Sequence, residues 1–150
     1  MPGFMVFGEG QRRRGAMTTL EWSEAVEVHV AAFDEDHHSL IDKAAALVAA
    51  CEEGQPALAQ QNLLDDFIEI SVDHFEREEM RMHEVDFPEF TNHKAEHDLL
   101  IRAILKFRAD LRYGRLPADA AAEIIADWLL RHIREWDKGY TDFFHARGIR

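Results

Sequence analysis

Apolar residues recur at three- and four-residue spacing along four stretches of this chain, and each stretch carries histidine on its apolar stripe. The spacing predicts helices, and the histidines on it must be buried with them. The first stripe runs from His37 through Leu40, Ile41, Ala44, Leu47, Val48 and Cys51. Asp34 is placed to cap its start, and Gly54 and Pro56 end it. The second stretch extends from about Pro56 to about Asp86, with Leu63, Phe67, Ile70, His74, Glu78 and Met82 inward. Phe87-Pro88 closes it, because proline disfavours helix in the residue before it. The third extends from about Glu89 to Tyr113 and turns Phe90, His93, His97, Leu100, Ile101, Ile104 and Leu111 inward, with Gly114 as its C-terminal cap. The fourth starts near Pro117 and carries Ala121, Ile124, Trp128, Leu129, His132, Tyr140 and Phe144, with Gly148 past its end.

No segment alternates as a strand does. Four helices with short connections make an all-α, antiparallel up-and-down four-helix bundle. Thr18 to Phe33 has no clean period and reads as an N-terminal extended arm, with Trp22 tucked against the core. The bundle is assigned to residues 17–150. Residues 1–16 read as a disordered extension, a tag remnant or an upstream start, with Met17 as the alternative beginning.

Charge narrows the partners. The chain of 150 residues has a formal net charge of -12 with histidine neutral, which repels nucleic acid and anionic membrane surfaces. No apolar run approaches the roughly 18 residues that span a bilayer, so membrane insertion is not expected. A single cysteine permits no intrachain disulfide, and a reducing cytoplasm is the expected location. On the first stripe, Cys51 is expected as a buried, inert thiol. A monomer is the expected state, and no protein partner can be read.

Seven potential metal ligands lie on or beside the stripes: His37, His74, Glu78, His93, His97, His132 and Asp137. Taken singly, each histidine reads as a core residue bonded to a backbone carbonyl, and His93 with His97 is a pair that arises by chance in a chain with nine histidines. Taken together they do not. Five buried imidazoles with two carboxylates leave many polar atoms in need of partners, and metal ions satisfy them at once. His29, His38, His83 and His145 fall off the stripes and read as surface or supporting residues.

Residues four apart share a helix face, so His74 and Glu78 reach one site, as do His93 and His97. His132 and Asp137 are five apart, about 140° around an ideal helix. Either Asp137 reaches the site from the side, or the helix widens there into a π-type turn. Imidazole suits Fe, Zn, Cu or Ni, and bridging carboxylates suit iron or manganese pairs. Two divalent ions with two carboxylates leave a net charge of about +2, against about zero in four-Glu, two-His di-iron bundles. A centre this poor in anions disfavours high oxidation states, and so favours reversible oxygen binding over oxygenase chemistry.

These motifs resemble the hemerythrin family, in particular its single-domain bacterial members. The matching stretches are Asp34-Glu35-Asp36-His37-His38-Ser39-Leu40, His74-Phe75-Glu76-Arg77-Glu78-Glu79, Met82 with Phe87-Pro88, His93-Lys94-Ala95-Glu96-His97 and His132-Ile133-Arg134-Glu135-Trp136-Asp137. The resemblance implies two iron ions cycling between Fe2+ and Fe3+, with dioxygen as ligand. It places His93, His97 and His132 on one iron and His37 and His74 on the other, which keeps an open position. It makes Glu78 and Asp137 bridges, with an oxo or hydroxo group as the third. Leu40, Phe75, Trp128 and Leu129 fall at the family's apolar ligand pocket over the open iron, and they also read as ordinary core. Tyr140 is placed to hydrogen-bond a bridging carboxylate.

One departure stands out. The family commonly has glutamine before the first ligand histidine, and this chain has Asp36. Its favoured reading is a cap or surface residue, with orientation of an imidazole or altered proton access as alternatives. Phe87, where tyrosine is common, is conservative. The expected function is oxygen carriage, storage, delivery or sensing, with built-in sensing disfavoured because no further domain is read in the 150 residues. The alternatives are a di-iron enzyme (peroxidase, nitric oxide reductase or ferroxidase), metal storage, and a zinc-stabilised structural bundle.

Overall fold

Pro56, Pro88 and Pro117 punctuate the chain where one helix must stop and the next begin, and the structure follows that punctuation. The computed structural model describes residues 20–115 and 117–150. The proposed extension over residues 1–16 and the alternative start at Met17 lie outside the described residues. Four long helices follow one another: α1 (Ala31–Glu52), α2 (Ala57–Glu84), α3 (Phe90–Arg112) and α4 (Ala118–Glu135). A 3₁₀ turn at Asp137–Tyr140 and a short helix α5 (Thr141–His145) complete the chain. Pro56 and Pro117 are the N-caps of α2 and α4, where a proline's missing N–H costs nothing. The connections span residues 53–56, 85–89 and 113–117. Such short links place successive helices antiparallel, and α1 closes the ring by packing on both α2 and α4. Among the described residues there is no strand and no helix long and apolar enough to cross a membrane.

Several elements differ from the sequence reading. Helix α1 begins at Ala31, with Val30 as N-cap, so Asp34 is not the cap. Asp34 lies in the first turn, and its Oδ1 accepts the Val28 N–H at 2.7 Å. The arm is correspondingly shorter: Phe33 belongs to α1, and a 3₁₀ turn at Glu24–Val26 interrupts the rest. Val26, Val28 and Val30 are all buried, on a path that leaves the 3₁₀ turn and passes through the positive φ of His29, 58°, which helical spacing does not detect. Trp22 is half-buried and packs against the core, stacking on His38 with ring centroids 3.5 Å apart. On α4 the buried isoleucine is Ile125, at 1% exposure, while Ile124 stands out at 43%. On α2 Phe67, His74, Glu78 and Met82 are buried as expected, while Leu64 and Ile68 are fully buried and Leu63 and Ile70 only partly. Cys51 is half-buried, not fully buried. Burial raises its thiol pKa, followed by the charges of Asp119 and Glu52, so it stays protonated and inert.

The fourth helix is not continuous to Phe144. It ends at Trp136, which adopts φ −110° and ψ −56° and gives its N–H to His132 O at 2.8 Å. The chain then tightens into the 3₁₀ turn instead of widening. Three contacts tie this corner to the arm. Lys138 Nζ donates to Glu24 O at 3.3 Å, Thr141 Oγ1 to Val28 O at 2.7 Å, and His145 Nε2 to His29 O at 2.6 Å. Beneath them, Phe33, Tyr140 and Phe144 pack ring against ring.

Candidate metal centre

Each long helix, and the 3₁₀ turn, sends ligand-type side chains to the bundle axis because those positions lie on its apolar face. His37 comes from α1, His74 and Glu78 from α2, His93 and His97 from α3, His132 from α4 and Asp137 from the turn. All seven are at most 2% exposed. They form two groups able to hold a metal ion, one of Glu78, His93, His97, His132 and Asp137, the other of His37, His74, Glu78 and Asp137. The two groups share both carboxylates.

How the carboxylate oxygens divide is informative. Glu78 Oε1 lies 3.0 Å from His74 Nε2 and 3.5 Å from His37 Nε2, whereas Oε2 lies 3.3 Å from His97 Nε2 and 3.6 Å from His93 Nε2. Asp137 Oδ2 lies 3.0 Å from His37 Nε2, while Oδ1 lies 2.9 Å from His93 Nε2 and 3.0 Å from His132 Nε2. Each carboxylate thus gives one oxygen to each group. Asp137 achieves this through the backbone break at Trp136. A π-type widening is not what brings it in.

Protein partners alone do not satisfy this cluster. His37 Nε2 faces His74 Nε2 at 3.1 Å, and His97 Nε2 faces His132 Nε2 at 3.2 Å. Two imidazole nitrogens at that distance need a proton or a cation between them. Four buried atoms have no hydrogen-bond partner among the described residues: His37 Nδ1, His132 Nδ1, Glu78 Oε2 and Asp137 Oδ2. The two oxygens are close to imidazole nitrogens yet form no aligned hydrogen bond. Buried polar atoms are rarely left so. Inward-facing Nε2 atoms and divided carboxylates form a donor set that fits transition-metal ions.

Charge and burial oppose each other here. Burial would raise the Glu78 and Asp137 carboxyl pKa values. For Glu78, the charge of His74 and the close imidazoles of His37, His74 and His93 outweigh burial and hold it well below 4.5. Asp137 feels burial and the Glu78 charge upward, yet His132 and His37 bring it well below 3.8. Burial would lower His37 and His93, but the adjacent carboxylates of Asp137 and Glu78 lift both to about 10. The sign of the pH dependence follows. The raised imidazoles stabilise the metal-free fold fully below their ordinary 6.5, and that contribution is lost as pH climbs toward about 10. The depressed carboxylates contribute above their ordinary range and lose that contribution as pH falls through their folded values. Thermal melts of the metal-free chain are therefore expected to show declining stability from pH 6.5 to 10, and a flat profile over that window would refute the assignment.

Around the cluster stand groups that orient it. Tyr140 Oη donates to Glu78 Oε1 at 2.8 Å. Burial, then the Glu78 charge, pushes the Tyr140 pKa well above 10, so the phenol keeps the proton it donates. Asp36 does not cap a helix, which is a correction to its favoured reading. Its Oδ2 accepts from His74 Nδ1 at 2.9 Å, and Arg77 grips both its oxygens at 2.9 and 3.0 Å. The sequence reading missed Glu79, whose Oε1 meets His97 Nδ1 at 2.9 Å. The signal for it was present, since Glu79 follows Glu78 on a helix whose inward face was already identified. His83 meets the ring of Phe90 edge-on.

An apolar cavity of about 20 Å³ adjoins the cluster. Phe75, Trp128 and Leu129 line it with Phe67, Leu100 and Ile125, and His132 and Ser71 are its polar neighbours. Leu40 is not among the lining residues. The walls come from α2, α3 and α4, while Leu40 is buried in the core on α1. Of the seven ligand-type residues only His132, from the three-imidazole group, touches the cavity, whereas the expected pocket sat over the two-imidazole side.

Fold and site together define a class: a histidine-rich four-helix bundle whose core is a metal-binding centre spanned by two shared carboxylates. A sequence model of the hemerythrin HHE cation binding domain matches residues 28–143, and the chain belongs to the hemerythrin family. It is similar to the bacteriohemerythrin of Stenotrophomonas maltophilia, at 27% identity over 84% of this chain and 82% of that protein. It is also similar to the bacteriohemerythrin of Methylococcus capsulatus, at 28% identity over 83% and 95%, and to the myohemerythrin of Riftia pachyptila, at 27% over 79% and 88%. A crystal structure of wild-type hemerythrin superposes with a TM-score of 0.75 at 27% identity, covering 81% of this chain and 95% of that one.

Proposed function

We propose that this chain binds dioxygen reversibly at a non-haem di-iron centre, serving oxygen carriage, storage or delivery. His93, His97 and His132 would hold one iron and His37 and His74 the other, with Glu78 and Asp137 available to both. The observation that carries this reading is the division of each carboxylate's two oxygens between the two imidazole groups. Bridging carboxylates favour iron or manganese pairs over the other metals that imidazole accepts. When bound, iron supplies the reversible one-electron change at each metal on which oxygen uptake and release depend.

The chain's own residues govern the rest. Asp36 holds the His74 ring through Nδ1, so that its Nε2 faces inward. Tyr140 places a hydrogen-bond donor on Glu78 Oε1 and spreads the charge of that carboxylate. Phe75, Trp128 and Leu129 keep water from the cluster on the cavity side. The cavity, about 20 Å³, has space for one molecule of about the size of water. That size excludes a bulky substrate and admits dioxygen, peroxide or nitric oxide alike, so the optical test below separates a carrier from an enzyme. All seven ligand groups come from one chain, which fits action as a monomer, and a lone half-buried thiol fits the cytoplasm.

The test is optical. Metal-free protein loaded anaerobically with Fe(II) should retain about two irons per chain. Admitting air should produce a charge-transfer absorption that disappears when oxygen is removed. Irreversible bleaching with turnover of peroxide or nitric oxide would identify an enzyme instead. Iron content far above that ratio would indicate storage, and preferential retention of zinc a structural metal.

A further inference from the structure

Glu79 touches the ligand cluster from outside and has no part in the reading above. Its Oε1 lies 2.9 Å from His97 Nδ1, and its Oε2 lies 3.3 Å from Lys94 Nζ. It comes from the same turn of α2 that supplies two other neighbours of His97. Phe75 stacks on the His97 ring with centroids 3.9 Å apart and planes 9° from parallel. Glu78 Oε2 lies 3.3 Å from His97 Nε2. The imidazole is thus held on its face, at its inner nitrogen and at its outer nitrogen by residues spaced three and four apart on one helix.

We propose that Glu79 is a positioning residue of the metal centre, fixing His97 with Nδ1–H outward and the Nε2 lone pair inward. The inference rests on the di-iron reading and adds to it a determinant of the three-imidazole half. A carboxylate at Nδ1 selects the tautomer whose Nε2 is free to bind metal, and it makes that nitrogen a stronger donor. The bland reading is a surface ion pair between Glu79 and Lys94. Such a pair explains the Lys94 contact, but it leaves unexplained why the other Glu79 oxygen turns to a nitrogen that is itself buried. The two-imidazole half has the same arrangement from different elements, since Asp36, gripped by Arg77, meets His74 Nδ1. His37 Nδ1 and His132 Nδ1 have no such partner among the described residues. The structure therefore places one externally anchored imidazole in each half.

Glu79 borders an open groove of about 400 Å³ together with Lys94, Arg102 and Asp98, and its side chain is 18% exposed. The experiment compares the full-length wild type with Glu79→Gln and Glu79→Leu, each made metal-free and titrated with Co(II) against a competing chelator, with visible spectra recorded throughout. Circular dichroism and thermal melts of the metal-free proteins check the fold. Glu79→Leu is expected to weaken one of two Co(II) ions by roughly 10- to 100-fold and to change its visible bands, with the metal-free chain still folded by circular dichroism. Glu79→Gln, whose amide oxygen still accepts from Nδ1, is expected to recover most of that affinity. Equal affinity and identical bands in Glu79→Leu and wild type would overturn the proposal, as would a Glu79→Gln protein as weak as Glu79→Leu. A wild type that binds fewer than two Co(II) would overturn the di-iron reading together with it, so the two failures are told apart.

Discussion

Glu78→Ala is expected to abolish retention of both metals, while His74→Ala is expected to remove only one. The reason is geometric. Glu78 belongs to both ligand groups, one oxygen to each, whereas His74 belongs to one. Losing Glu78 also strips Tyr140 Oη of its acceptor and leaves the phenol buried without a partner. Five imidazoles then share only Asp137. Metal analysis after anaerobic loading with Fe(II) should find well under one iron per chain in Glu78→Ala and about one in His74→Ala. If Glu78→Ala holds its metal as well as His74→Ala does, the carboxylate is not shared and the bridging assignment is wrong.

Metal loading should raise the melting temperature by a large margin. The cluster sets two imidazole pairs nitrogen to nitrogen at 3.1 and 3.2 Å and leaves four buried atoms without partners among the described residues. An ion that binds only the folded chain stabilises it by about 4 kcal/mol at a thousandfold excess over its dissociation constant. At roughly 2–4 °C per kcal/mol for a chain of this size, each ion should add on the order of 10 °C. The same experiment has a proton signature. His37 and His93, lifted to about 10, carry protons at neutral pH in the metal-free chain, and bound metal must displace them. Loading in weak buffer should acidify the solution, and apparent affinity should rise with pH. Loading without a rise in melting temperature or release of protons would mean that the ions bind elsewhere.

Much of the bundle was legible in the sequence for a local reason. A helix repeats every 3.6 residues wherever it lies, so the stripes carrying His37, His74, His93, His97 and His132 could be read without knowing what they face. Prolines and glycines marked the breaks. The errors arose where that periodicity is not the deciding term. Ile124 and Ile125 are neighbours of equal hydrophobicity, and only the neighbouring helices select which is buried. Val26, Val28 and Val30 lie in an arm that turns at Glu24–Val26 and again at His29, so no helical spacing marks their burial. Asp36 looked like a cap because acids often open helices, yet His74 and Arg77, about forty residues away, determine its role.

The helices, their order and the seven residue types able to hold metal follow from local periodicity and side-chain chemistry. How Asp137 reaches the centre is a matter of long-range packing. Its direction depends on the backbone break at Trp136, in a corner tied to the arm through Glu24, Val28 and His29 and packed by Phe33, Tyr140 and Phe144. Those contacts join residues more than a hundred positions apart. No local pattern encodes which oxygen of a carboxylate will face which imidazole, since that is settled when four helices pack around one axis.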